Sequence, residues 1–148
     1  YKIITSKSRT CYGHWIEQGA TALCESFKEF DEKWVDSRNH HFFGDIASWF
    51  VQTIAGLRPN PNADDISHYE ISPSFITEIN FAKTHYTSKF GTTSVNWERT
   101  ENGNIELTVD IPKGIHGKVL LPKGYSFEDS TTERDLNSGI SKWGLVQK

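Results

Sequence analysis

At 148 residues the chain can form one ordinary domain or two small ones, burying roughly two-thirds of its unfolded surface. A net charge of −3 with both signs interspersed leaves no basic face for a phosphate backbone, and the apolar runs at Trp49–Val51 and Val119–Leu121 fall far short of the ~20 residues of a membrane span. Neither nucleic acid nor a membrane is therefore expected as a partner. The chain opens on Tyr1 and contains no methionine, which reads as a piece of a longer protein and leaves that protein's compartment unknown.

In chain order, Tyr12–Gln18 has a helical pattern, whereas Thr21–Phe27 reads equally as a short helix or an extended run. Cys11 and Cys24 lie in apolar stretches rather than in a cysteine-rich loop framework, so free buried thiols are expected rather than a disulfide. From His40 to Ala55 the apolar residues Phe42, Phe43, Ile46, Trp49, Phe50 and Ile54 recur at intervals of three and four, which predicts an amphipathic helix. Gly56 ends it, and the run Arg58-Pro59-Asn60-Pro61-Asn62 is a cluster of helix breakers and turn formers. A domain boundary is placed here, giving residues 1–58 and 59–148.

Beyond the boundary the period changes to two. Thr93, Val95 and Trp97 alternate with polar residues, as do Ile105, Leu107, Val109 and Ile111, the pattern of half-buried strands. Between them lies Glu101-Asn102-Gly103-Asn104, whose Asn-Gly pair predicts a two-residue type I′ hairpin. Shorter strands are predicted at Ser67–Ser72, Phe81–Tyr86 and Lys118–Leu121, a polar loop or short helix at Glu128–Ser138, and a final apolar run at Trp143–Val146. Short strands at this spacing predict a β-sandwich, and with the helical first half the fold class is α+β.

Acids, histidines and tryptophans gather in the first half: His14, Trp15, Glu17, Glu25, Trp34, Asp36, His40 and His41. Carboxylates and imidazoles bond hydroxyl groups while indoles cover the apolar face of a pyranose, so the mixture suits carbohydrate. Composition alone does not separate such a site from solvated acids and core aromatics. No CxxC or HExxH spacing occurs, and the His40-His41 pair lacks a third ligand at sensible spacing, so neither a metal nor another cofactor is expected.

The order of residues is more specific. The run Gly13-His14-Trp15-Ile16-Glu17-Gln18-Gly19-Ala20-Thr21-Ala22-Leu23-Cys24-Glu25 resembles the pattern of inverting α-L-rhamnosidases, in which a WGY-like stretch leads into GATT-(L/I)-WE. A second block, Ser37-Arg38-Asn39-His40-His41-Phe42-Phe43-Gly44, resembles the S-x-N-H-Y-x-x-G of the same family. That block opens a barrel helix ending in AG-(I/L)-RP, here Ala55-Gly56-Leu57-Arg58-Pro59. The resemblance covers roughly residues 9 to 122. It implies the terminal helices of an (α/α)6 barrel followed by an antiparallel β-sandwich, and a hydrolase that removes terminal α-L-rhamnose from glycosides with inversion.

Carried over residue by residue, the resemblance makes Glu25 the general base and His40 a contact to the sugar. The general acid would come from earlier barrel helices in an upstream part of the same polypeptide, leaving this chain inactive alone. Cys24 stands where the family usually has tryptophan, Ala22 where a second threonine is usual and Arg38 where an apolar residue is common, departures that alter the pocket wall. Glu17 is expected to be structural, His41 to pack or face solvent, and Asn39 to cap the helix. Two other readings stay open: a related barrel hydrolase for another sugar, and a carbohydrate-binding or structural sandwich. The second would show an exposed aromatic strip drawn from Tyr69, Tyr86, Trp97 and Tyr125, although alternation with Val95 turns Trp97 inward.

Overall fold

The computed structural model describes residues 1–27, 37–59 and 65–148. The chain packs as two compact units, Tyr1–Ala47 and Ser48–Lys148. Among the described residues three short α-helices come first, α1 (Lys2–Thr5), α2 (Tyr12–Glu17) and α3 (Asp45–Trp49), and a π-helical turn at Phe50–Ile54 continues α3.

The expected helix over His40–Ala55 is thus shorter and changes character. Residues 41–44 form a turn closed by Gly44 N–H to His41 O at 2.8 Å, and α3 begins only at Asp45. The Ala55 amide then donates to Phe50 O at 3.1 Å, an i to i+5 bond that adds one residue to the turn. That extra residue rotates the stripe. Ile54 enters the core of the second unit, while Phe50 stays 45% exposed.

Gly56 follows with φ +84, and a Cβ there would lie 2.2 Å from Pro73 N, so only glycine lets the chain cross the Ser72-Pro73 backbone. The packing divides the chain between Ala47 and Ser48, ahead of the breaker cluster, because Ile54, Leu57 and their neighbours bury with the strands.

Among its described residues the second unit has nine strands: β1 (Leu57–Pro59), β2 (His68–Ile71), β3 (Phe81–Ser88), β4 (Gly91–Arg99), β5 (Ile105–Ile111), β6 (His116–Leu120), β7 (Tyr125–Phe127), β8 (Glu133–Leu136) and β9 (Gly139–Gln147). They form a four-stranded sheet in the order β1-β2-β6-β8 and a five-stranded sheet in the order β3-β4-β5-β9-β7. All pairings are antiparallel except β2 with β6. At that parallel pair Gly117 has φ +144, and a Cβ would stand 1.7 Å from Tyr69 O.

One apolar core lies between the sheets, with Tyr69, Ile71 and Val119 from the smaller and Val95, Trp97, Leu107 and Leu145 from the larger. The period-two alternation in β4 and β5 produces this directly, because every second side chain points inward. Trp97, 1% exposed, donates its indole N–H to Ile54 O at 3.0 Å, satisfying a buried carbonyl of the π-helical turn.

The β4–β5 hairpin forms as predicted, with a different turn. Gly103 N–H bonds Thr100 O at 2.9 Å and Thr100 N–H bonds Asn104 O at 2.8 Å. Gly103 has φ +82, whereas Ser130 alone among the described non-glycine residues has positive φ. Asn102 therefore lacks the conformation a type I′ turn requires, and the link is a three-residue loop with glycine in the left-handed bulge position. The polar stretch Glu128–Ser138 also differs from expectation, since it contains β8. Its Glu133 and Asp135 are exposed while Leu136 is buried.

Candidate active site

Among the described residues of the first unit, aromatic rings form a cluster. Trp15 on α2 stacks on Phe27 with centroids 4.4 Å apart. Phe43 meets Phe27 at 4.9 Å and the Trp15 edge at 5.6 Å, and Tyr12 packs against Trp15 at 5.3 Å. The Tyr12 hydroxyl donates to Phe43 O at 3.2 Å. Burial, and secondarily the Asp45 carboxylate, raise its pKa, so it remains a neutral donor. This cluster joins α2 to the segments that follow Glu25 and His40. At 3% exposure Trp15 is a core residue rather than a sugar platform, and its indole N–H has no hydrogen-bond partner among the described residues.

Two backbone bonds pair the segments that carry the candidate residues. Glu25 N–H donates to Ser37 O at 2.9 Å, and His40 N–H donates to Leu23 O at 2.8 Å. Residues 23–25 therefore lie alongside 37–40, bringing together motif positions far apart in sequence. Thr21–Phe27 contains no helix; it is irregular backbone.

The exposed Glu25 accepts from the Ser37 amide through Oε2 at 3.1 Å, which orients its carboxylate while leaving the second oxygen for another donor. His40 Nδ1 accepts from the Phe42 amide at 3.1 Å. An accepting Nδ1 carries a lone pair, so the ring proton resides on Nε2 and that edge presents a donor. The His41 ring stacks on His40 at 4.8 Å with 18° between planes. A carboxylate acceptor and an imidazole donor on adjoining segments suit a hydroxyl-rich ligand and the activation of water.

A recess of about 240 Å³ opens between Gln18, Gly19, Ala20, Thr21, Cys24 and Arg38. Two of the residues that depart from the family pattern, Cys24 and Arg38, thus line the same recess. Sequence spacing did not reveal this pairing, which requires the backbone register between residues 23–25 and 37–40. Burial raises the Cys24 pKa and the nearby Arg38 opposes that shift. Both cysteines are free and buried.

Among the remaining candidates, Glu17 forms a solvent-exposed ion pair with Lys7 at 2.6 Å. Asn39 does not cap a helix, because α3 starts at Asp45; its backbone instead engages Ser37 Oγ. His14 is half-buried on α2, and Trp34 and Asp36 lie outside the described residues. The aromatic strip of the binding-module reading does not form, since Tyr69 and Trp97 are buried and the half-buried Tyr125 hydroxyl accepts from Arg99 at 3.1 Å. Among the described residues no cluster of three or more His, Cys, Asp or Glu is arranged to hold a metal, and no helix is long and apolar enough to cross a membrane.

Comparison with known proteins agrees with this architecture. Residues 56–134 match the bacterial α-L-rhamnosidase C-terminal domain, and residues 1–54 match the six-hairpin glycosidase domain of bacterial α-L-rhamnosidases. The chain belongs to the bacterial α-L-rhamnosidase family.

It is 26% identical to an α-L-rhamnosidase of Alteromonas sp. (strain LOR) over 97% of its own length and 16% of the relative's. It is 23% identical to an α-L-rhamnosidase of Formosa agariphila over 94% of its length and 15% of the relative's. The chain thus spans about one-sixth of these relatives. Its fold matches the structure of an α-L-rhamnosidase from Dictyoglumus thermophilum with a TM-score of 0.83 at 23% identity, covering all of this chain and 18% of that one. It also matches a Streptomyces avermitilis α-L-rhamnosidase complexed with L-rhamnose, with a TM-score of 0.81 at 21% identity, covering 99% of this chain and 16% of that one.

Proposed function

We propose that the chain closes the catalytic barrel of an enzyme that hydrolyses terminal α-L-rhamnose from glycosides with inversion, and supplies the sandwich that follows. Residues 1–58 are assigned to the barrel and 59–148 to the sandwich, with the end of the first stretch, from Ser48, packing together with the strands. The observation that supports the reading is the pairing of the segments that carry Glu25 and His40, through Glu25 N–H to Ser37 O and His40 N–H to Leu23 O.

Inversion requires a water between the base and the anomeric carbon, so the two catalytic carboxyl groups stand ~6.5–9.5 Å apart. Glu25 takes one proton from this water as its oxygen attacks the anomeric carbon on the face opposite the leaving group. A carboxylic acid on the other side protonates the departing glycosidic oxygen, completing the balance. His40 donates from Nε2 to a sugar hydroxyl, with Phe42 and His41 fixing its ring. The acid is assigned to earlier barrel helices, so these 148 residues alone are expected to be inactive. The chemistry calls for two carboxyl groups and no cofactor. Cys24, Ala22 and Arg38 adjust the wall that selects the sugar and its neighbour.

Hydrolysis of a chromogenic α-L-rhamnoside by the full-length enzyme, followed by proton NMR, tests the reading. The first product expected is the β anomer of rhamnose. Initial release of the α anomer would exclude inversion, and cleavage of other glycosides with none of α-L-rhamnosides would exclude the sugar.

A further inference from the structure

A second recess of about 240 Å³ lies on the sandwich, lined by Phe127, Glu128, Arg134, Lys142, Trp143 and Gly144. It stands just below the ~300–1,000 Å³ typical of drug-sized pockets and suits a single sugar ring. We propose that it is a binding subsite for a neutral saccharide residue, independent of the chemistry assigned to Glu25.

Three features of the lining support this. The first is the half-buried Trp143, which packs against the core with part of its surface and lines the recess. Phe127 meets it edge to face at 5.7 Å while the Arg134 guanidinium lies 4.7 Å over the Phe127 ring. With Phe127 covered, the indole is the aromatic surface left for the apolar face of a pyranose.

The second is charge balance. Arg134 is held by Asp129, leaving Lys142 and Glu128 as one further group of each sign. The recess therefore presents ammonium and guanidinium donors with a carboxylate acceptor, and the charges balance once Asp129, the partner of Arg134, is counted with the lining. Hydroxyl groups, which both donate and accept, fit that set, whereas a phosphate or sulfate would meet the Glu128 carboxylate.

The third is Gly144 on β9, opposite Glu106 of β5. A Cβ at Gly144 would meet only Glu128 Oε1, at 3.6 Å. Its absence leaves bare backbone as the floor, and no turn or positive φ accounts for glycine at this position.

Titrating the full 148-residue chain with methyl α-L-rhamnopyranoside and with methyl β-D-glucopyranoside, followed through amide and indole NMR resonances, tests the proposal. At least one neutral glycoside should shift the Trp143 indole and Gly144 amide saturably. Glu128→Gln, an exposed change that preserves the fold, should weaken binding by about tenfold through loss of a charged acceptor. Gly144→Val should abolish it by filling the floor. Resonances at Trp143 and Gly144 that stay fixed with both glycosides would overturn the proposal. So would a response to D-glucuronate alone, or unchanged binding in the two variants. Shifts confined to residues 23–41 would also overturn it while leaving the assignment of the first unit intact.

Discussion

The two units are held together in different ways. In Ser48–Lys148, continuous strand ladders and one core spanning two sheets fix nearly every inward side chain. Among the described residues of Tyr1–Ala47, helices of four and six residues join irregular segments through aromatic rings and backbone bonds, and Ile3, Ile16 and Phe42 remain 61%, 72% and 70% exposed. The proposed chemistry resides in this second kind of structure. A scaffold can be redundantly held, whereas the pairing of the segments that carry Glu25 and His40 involves, among the described residues, contacts that can be tested singly.

The largest effect is expected in the sandwich. Trp97→Ala removes a fully buried indole, at a cost of about 3–5 kcal/mol, and also leaves the Ile54 carbonyl without its donor. Urea unfolding followed by circular dichroism should show the midpoint collapse. A shift of only a few tenths of a molar would mean that the two sheets do not depend on this bond.

A smaller and local effect should follow Phe43→Ala in the first unit. Phe43 is half-buried, so the loss is about 2 kcal/mol, below the range for a fully buried phenylalanine. Hydrogen exchange should accelerate at the Glu25 and His40 amides, whereas the β4–β5 ladder should retain its protection. Equal acceleration in both regions would show that the units unfold as one.

The smallest effect concerns pH. Bonds from the Thr131 hydroxyl and amide, with Arg134 adding to them, hold the Asp129 pKa below its ordinary 3.8. A depressed folded-state value favours the folded chain above the unfolded pKa, and that contribution is lost as pH falls through the folded value. The Asp129→Asn variant should therefore lose slightly less stability than the native chain on acidification below about pH 4. Parallel acid-unfolding curves would remove Asp129 from the account.

The sandwich was more legible in the sequence than the site. Val95, Trp97, Leu107 and Val109 declare their face through strict alternation, because one side of each strand meets a core. The hairpin loop was placed correctly, but Asn102-Gly103 suggested two turn residues where Glu101 makes a third. Strand β8 was missed because it is a short edge strand exposing Glu133 and Asp135, with only Leu136 fully buried. The helix over His40–Ala55 was overextended because periodicity cannot register the residue inserted at the π-helical turn.

In the first unit the order of residues pointed to Glu25 and His40, but no local period shows that residues 23–25 lie against 37–40. Nor does the spacing of Tyr12, Trp15, Phe27 and Phe43 reveal one cluster. Those relations arise from tertiary packing between segments that have no shared repeat.

The central claim is that Glu25 activates water, and the most direct test is the turnover of an α-L-rhamnoside by the full-length enzyme carrying Glu25→Gln. With an unchanged unfolding curve, kcat should fall by at least ~100-fold, the scale of a lost general base. An unchanged kcat in the folded variant would contradict the assignment and place the base elsewhere.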